Sequence, residues 1–347
     1  MENDYNQFNE EELRKSIDDV YDEKNSDFNE QLEREILFTL IGNVNAGKSS
    51  VINAVMGEKV AQEGAKPGET IEIKEYRYQE KIMFVDTPGL HDIIEENSEK
   101  TLKYYKKADV ILFVLNAAGE VFSAPEQAVY NKVKKYNDHI IFVLNKIDAA
   151  ENIPSLIEYV GKNTDKKHPV IAVSSRTGEN IDVLECEIMD FLERKHKELL
   201  FANLVKHKAP IAKKWILAAA TSAGAVGLSP LPGSDIIPIT SIQVSLLIKL
   251  GILYDKKLSK ERAQELVLAT ITGNMGKTIF RQIVKTFPGV GLLAGGGIAF
   301  SLTLGLGLVV KYAYENEIEI NQDNIMMIYK YHVKDLIRHI NFDDLKK

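Results

Sequence analysis

Cysteine is nearly missing from this 347-residue chain: the single Cys186 excludes an internal disulfide, suits a reducing cytoplasm and reads as a structural thiol on a helix. A basic excess is missing too. Forty-three Lys and Arg against 50 Asp and Glu leave a net charge of −7, which argues against a general nucleic-acid-binding surface. None of the 7 histidines has metal-ligand spacing, and no Ser-His-Asp or Cys-His arrangement has supporting context, so nothing points to zinc or acyl-transfer chemistry. Met1 is followed by Glu2 and Asp4 rather than by a basic and then apolar leader, so no signal peptide is expected. Charge itself is missing from three stretches of the second half, Trp215–Ser234, Ile236–Ile248 and Thr286–Val310. That shift in composition, in a chain too long for one average domain, predicts two domains after an acidic arm: residues 1–34, 35–203 and 204–347.

In the acidic arm Leu13, Ile17, Val20 and Tyr21, then Phe28, Leu32 and Ile36, recur at helical spacing, which predicts one or two amphipathic helices packed on the domain that follows. From Glu35 to about Leu200 strand and helix patterns alternate. Strands are expected over Ile36–Ile41, Ile71–Tyr78, Lys81–Asp86, Val110–Leu115, Ile140–Leu144 and Val170–Val173, the pattern of an α/β doubly wound, mostly parallel six-stranded sheet. Ligands of such sheets lie outside the carboxyl ends of the strands. The sequence's motifs fall at those ends.

The first is Gly42-Asn43-Val44-Asn45-Ala46-Gly47-Lys48-Ser49-Ser50 after the run Ile36–Ile41, the G-x-x-x-x-G-K-[ST] spacing of a phosphate-binding loop. Its glycines let backbone N–H groups from Asn43 to Ser50 curl round phosphates, Lys48 brings a point charge to the β- and γ-phosphates, and the Ser49 hydroxyl reaches Mg²⁺. The following helix points its positive end at the same anion. The second is Asp86-Thr87-Pro88-Gly89, whose carboxylate is placed to hold Mg²⁺ through water and whose Gly89 N–H faces the γ-phosphate.

The third motif, Asn145-Lys146-Ile147-Asp148, chooses the base. A carboxylate at Asp148 accepts from guanine N1–H and its exocyclic amine, donors that adenine lacks there, and a site demanding those donors rejects the analogue strongly. Lys146 covers the base, Asn145 ties its loop to the phosphate loop, and backbone N–H groups of Ser174-Ser175-Arg176 face guanine O6.

With GNVNAGKS, DTPG, NKID and SSR in this order over Glu35–Leu200, the chain resembles the translation-factor-related GTPases, the branch that includes the Era and TrmE types. The resemblance implies GTP and GDP as ligands, Mg²⁺ as cofactor and hydrolysis of GTP. It makes Thr70 the switch threonine that closes on Mg²⁺ and the γ-phosphate in the GTP state, although this chain has Glu69-Thr70 where the branch usually has two threonines. Leu90 stands where Ras-like relatives place a water-orienting glutamine, so intrinsic hydrolysis is expected to be slow. Asn45 stands where some members use an asparagine to hold K⁺ beside the phosphates, which makes Lys48, Thr70, Gly89 and Asn45 the candidate catalytic set. Pairing of two nucleotide domains is a further expectation of the resemblance.

Beyond a charged helix expected over Glu185–Lys208 and a break at Ala209-Pro210, the uncharged second half admits two readings. Thr286–Val310 exceeds the roughly 20 residues that span a bilayer, and Gly291 and Gly295 have the small-x-x-x-small spacing of close helix pairs in lipid. A soluble bundle packed tightly through Gly and Ala fits equally. The glycines and Pro230, Pro232, Pro238 and Pro288 predict short helices and hairpins rather than two long rods. The stretches Pro230–Asp235 and Phe287–Gly291 resemble a helical domain that follows the GTPase domain in some bacterial Era-like proteins described as membrane-associated. Expectation is therefore a nucleotide-controlled switch in the cytoplasm, peripheral at the inner face of the membrane, with lipid and an unnamed effector as partners and no nucleic acid. The alternative is a slow hydrolyser that recruits an effector and needs an activating partner.

Overall fold

The computed structural model describes residues 10–61, 73–86, 99–228, 236–271 and 296–338. The chain forms two compact units, one of Gln31–His207 and one joining the arm, up to Glu30, to the chain from Lys208 onward.

In the first unit the strands β1 (Ile36–Ile41), β2 (Lys74–Tyr78), β3 (Ile82–Asp86), β4 (Val110–Asn116), β5 (Ile140–Asn145) and β6 (Val170–Ala172) make one sheet in the order β2-β3-β1-β4-β5-β6. Only β2 runs antiparallel to its neighbour. The apolar runs of β1, β4 and β5 are buried almost throughout, as central parallel strands must be, whereas β2, KEYRY, has no buried residue and takes the edge. Phe38 stacks on Phe84 at 4.9 Å, and Phe113, Phe122, Tyr130 and Phe142 form a second aromatic cluster beside β4 and β5.

Helices follow the strands: α2 (Lys48–Met56), α3 (Glu99–Lys107), α4 (Ala124–Val133), α5 (Ile153–Asn163), α6 (Ile181–Glu193) and α7 (Glu198–Leu204). The single charged helix expected over Glu185–Lys208 is two helices. The chain turns between them, His196 taking a φ of 53°, and Ala209-Pro210 starts the next helix instead of ending this one, because a proline in a first turn forfeits no intrahelical bond.

The second unit contains α1 (Glu10–Leu32, up to Glu30), α8 (Lys208–Val226), α9 (Ile236–Leu253), α10 (Lys260–Ile271), α11 (Gly296–Glu315), α12 (Gln322–Tyr331) and α13 (Val333–Arg338). The acidic arm, expected from sequence to pack on the domain that follows it, groups up to Glu30 with the helical unit instead. Its apolar stripe, Leu13, Ile17 and Phe28, is buried in the helical unit, where Tyr21 donates to the Leu258 carbonyl at 2.6 Å, Lys260 pairs with Asp22 at 2.5 Å and Gln264 donates to Asp18 at 2.9 Å. Acids of the arm meet cations and amides of α10, a complementarity that periodicity along the arm alone does not reveal.

The expectation of short helices is corrected for the helices described, while Pro230, Pro232, Pro288, Gly291 and Gly295 lie outside the described residues. Pro238 lies in the first turn of α9, and Gly305 and Gly307 stay inside the 20-residue α11. A Cβ on Gly307 would meet Ile216 at 2.8 Å and Leu246 at 3.0 Å, and one on Gly224 would meet Phe300 at 3.1 Å. These glycines admit close helix neighbours, which offsets the ~1 kcal/mol each costs a helix relative to alanine. Gln243 of α9 donates to Thr303 of α11 at 3.2 Å, a buried polar contact between the two helices. Trp215 is buried with Lys249 over its ring at 5.3 Å.

The chain leaves the first unit at a buried acid. Glu185 of α6 is fully enclosed and takes the backbone N–H of His207 at 3.3 Å and its Nδ1 at 3.0 Å. Burial pushes its pKa from 4.5 up to about 7, with His207 opposing and Asp182 adding to the rise. The folded state thus binds this proton more tightly than the unfolded chain, so the contribution is complete below 4.5 and lost as pH rises through about 7, roughly 3 kcal/mol in all. Glu185→Gln should flatten the fall in melting temperature between pH 5 and pH 8; parallel profiles for the two proteins would contradict this account.

Candidate functional site

The carboxyl ends of β1, β3, β5 and the loop after β6 converge on one site. After β1 the backbone turns at Gly42 (φ 155°), Asn45 (φ 62°) and Gly47 (φ 93°) before α2 begins at Lys48. Two of these turns require glycine twice over. A Cβ on Gly42 would run into the Val114 carbonyl oxygen and one on Gly47 into the Asn145 amide, besides the unfavourable φ at Gly47. The loop is held in shape by the Ala46 N–H donating to Asn43 at 3.1 Å.

Lys48 Nζ sits inside the loop, 3.1 Å from the Gly42 carbonyl, 3.4 Å from that of Asn43 and 3.5 Å from Asp86 Oδ1. Asp86 is buried and its Oδ1 accepts no hydrogen bond. Burial raises its pKa, against the pull of Lys48 and Lys74. A sheltered carboxylate oxygen beside the Lys48 ammonium, together with the Ser49 hydroxyl that follows Lys48 in the loop, is a hard-oxygen donor set that suits a dication such as Mg²⁺. Among the described residues no group of three His, Cys, Asp or Glu makes a separate metal cluster.

At the end of β5, Asn145 is fully buried and bridges two loops. Its Nδ2 donates to the Ala46 carbonyl at 3.0 Å and its Oδ1 accepts from the Ser175 N–H at 3.1 Å. Lys146, at a φ of 66°, reaches back to the Asn45 carbonyl at 2.6 Å. Asp148 lies at the middle of a single turn, Ile147–Ala149; one of its oxygens takes the Ser174 hydroxyl at 2.5 Å and the other the Arg176 guanidinium at 2.5 Å. The Ser174 bond first, then the Arg176 and Lys146 charges, hold its carboxyl below the ordinary range against the opposing effect of burial. Ser174 is itself buried and receives the Thr177 N–H at 3.1 Å.

Asn43, Asn45, Ala46, Gly47, Lys48, Ser49, Ser50, Asp86, Asn145, Lys146, Asp148, Ser174, Ser175 and Arg176 all lie on these convergent loops. Thr70, Gly89 and Leu90 lie outside the described residues. The Asn43 side chain is turned to Glu126, donating at 3.2 Å, so its contribution to the loop is made by the backbone. Glu126 was missed from sequence: it closes a capping box with Ser123 at the start of α4, is 1% exposed, and is pushed up in pKa by burial. The capping box is readable as Ser-x-x-Glu, but not its reach across to the phosphate loop. Tyr76 of β2 was missed as well. Burial raises its pKa, with the Asp86 charge adding to the rise and the Ser49 side chain opposing it.

Fold and loops together define a doubly wound phosphate-loop nucleotide-binding domain. Residues 38–146 match the family described as 50S ribosome-binding GTPase, and residues 193–313 match a domain of unknown function, DUF697. Among curated relatives the chain is similar to GTPase Era of Aquifex aeolicus, 29% identical over 195 residues covering 49% of this chain and 65% of that one. GTPase Era of Alkaliphilus oremlandii is 33% identical over 191 residues, covering 49% and 64%. The chain thus spans less than two thirds of the length of these relatives. Two solved relatives are a tyrosine-to-alanine variant of Aquifex aeolicus Era bound to GDP and AlF4⁻ (23% identity, 58% of this chain and 70% of that one, TM-score 0.36) and Era with MgGDPNP and nucleotides 1506–1542 of 16S ribosomal RNA (21%, 55% and 68%, TM-score 0.35). The first half of this chain is thus similar to the GTPase domain of Era, and a stretch that matches DUF697 follows it.

Asp148→Asn exchanges one acceptor oxygen for a donor, and should weaken binding of GDP by about a hundredfold or more while improving that of xanthosine diphosphate, whose base offers a carbonyl in place of the amine. Titration calorimetry with GDP, ADP and xanthosine diphosphate measures it; undiminished GDP preference in the variant would overturn the assignment of this carboxylate.

Proposed function

We propose that the chain is a Mg²⁺-dependent GTPase switch whose nucleotide state governs the helical unit. The observation that carries this reading is the Asn145 bridge, which ties the Asn145–Asp148 loop and the loop after β6 to the phosphate loop, as one nucleotide held by all three requires. Ser49 and Asp86, with Thr70 in the GTP state, would hold Mg²⁺, which supplies neutralisation of charge on the β- and γ-phosphates. Lys48 adds a fixed positive charge, and the Gly89 N–H a donor, to the phosphoryl group in transfer. Water attacks the γ-phosphorus, the bond to the β–γ bridging oxygen breaks, and GDP and phosphate leave.

With Leu90 unable to orient that water, the rate depends on something added. K⁺ beside Asn45 would take the part of an arginine finger, and a second nucleotide domain would order the switch loops. The alternative is a slow hydrolyser that recruits an effector and waits for an activating protein. Hydrolysis per molecule should rise with protein concentration and be faster in K⁺ than in Na⁺. A slow rate, flat with concentration and equal in the two salts, favours the recruiting module.

For the helical unit we favour reversible membrane contact at the inner face. Two helices, α9 and α11, are long and apolar enough to cross a bilayer, but 56% and 72% of their apolar windows are buried within the fold. Their packing supports one uncharged end of the bundle as the lipid-facing part: Leu228, Ile237 and Ile298 are exposed around the cluster of Ala223, Ile239 and Ala299. RNA, held by one Era relative, is left out of the proposed partners because the net charge is −7 and the described helices of this unit carry no basic aromatic platform. Liposome flotation should carry the protein upward more with a non-hydrolysable GTP analogue than with GDP; protein that stays with the soluble fraction in both states would remove lipid from the reading.

A further inference from the structure

The carboxylate that reads the base is already engaged by the chain itself. Asp148 gives one oxygen to Ser174 and the other to Arg176, each at 2.5 Å. These two contacts differ in kind. Ser174 is fully buried and pinned by the Thr177 N–H, so its bond is part of the loop. The Arg176 side chain is 76% exposed while that of Asp148 is 11% exposed, so the guanidinium reaches in from solvent to a sheltered acceptor and can leave without disturbing the loop.

Guanidinium and guanine share a chemistry. Guanine's N1–H and exocyclic amine form an N–H pair on an amidine edge, the same donor pattern that an arginine fork offers a carboxylate. The geometry points to Arg176 as a displaceable latch on Asp148, a specificity-determining residue that an incoming base must replace by supplying both donors itself. This rests on Asp148 as the guanine-reading group. Guanine, with two donors, has to evict Arg176. Hypoxanthine, which keeps N1–H but lacks the amine, leaves one oxygen unserved, and Arg176 stays on it. The latch therefore penalises GDP and compensates inosine diphosphate (IDP), narrowing the discrimination between them.

The test is the ratio of GDP to IDP affinity in the full chain, for wild type, Arg176→Ala and Arg176→Gln. Loss of the arginine's charge weakens every anionic nucleotide alike and cancels in the ratio. An exposed ion pair of this kind corresponds to roughly a two- to fivefold change, so the GDP:IDP preference should widen by that factor in both variants. In wild type the preference should widen toward the variant value as salt is raised, because an exposed pair is screened. A ratio that is unchanged or smaller in the variants overturns the latch, whatever the absolute affinities do. ADP as a third ligand separates the two failures. Wild type preferring GDP to ADP with an unmoved GDP:IDP ratio defeats the latch alone, and no preference for GDP over ADP defeats the guanine reading and the latch together.

Discussion

Everything at the site depends on one buried amide. Asn145 spends its donor on the phosphate loop at Ala46 and its acceptor on the Ser175 backbone, so three loops from three strand ends are tied into one geometry. A buried amide missing one of these partners would cost about 1–3 kcal/mol, which makes the arrangement all or nothing. Gly47 enforces the same point sterically: only a residue without Cβ lets the loop lie against the Asn145 side chain. The Lys146 contact with Asn45 closes the set from the solvent side.

The sheet and the phosphate loop were legible because their signals are local and strong. Near-continuous apolar runs such as Ile140–Asn145 mark central strands, and Gly42 and Gly47 occur where the backbone needs them. The order of motifs along the chain then follows the order of strand ends. What stayed hidden was whatever arises between elements. Glu126 reads as a helix cap, and only the fold brings it to Asn43. Tyr76 reads as one alternating residue of an edge strand, and only the β2–β3 pairing brings it near Ser49 and Asp86. Arg176 was read through its backbone, whereas its side chain occupies a carboxylate oxygen of Asp148.

The helical half reverses the usual meaning of its composition. Glycines read as breakers become contact points, because the free energy lost to helix propensity at Gly307 or Gly224 is offset by packing that a side chain there would prevent. The acidic arm misled for a related reason. Its stripe was correctly seen as one buried face, but periodicity names a face and not its partner, and the partner lies more than 200 residues away in sequence.

In the switch proposed above, any route from nucleotide to that half is constrained by where the chain exits. The segment before Lys208 is braced twice inside the first unit: His207 on the enclosed carboxylate of Glu185, and Lys206 against Gly57, the residue that ends α2 at a φ of 73°. The same helix begins at Lys48 in the phosphate loop. A force carried through Lys208 therefore acts on the far end of the nine-residue helix whose near end faces the phosphates. Coupling is reciprocal, so a helical unit that prefers one arrangement of this exit must alter nucleotide affinity by the same factor that the nucleotide alters its preference. A nucleotide that binds both arrangements equally well would transmit nothing, however tightly it is held. The exit has to be one of the features that differ between states if the switch works through the covalent chain, and Glu185, enclosed and with its pKa pushed up to about 7 by burial, sits where such a difference would register.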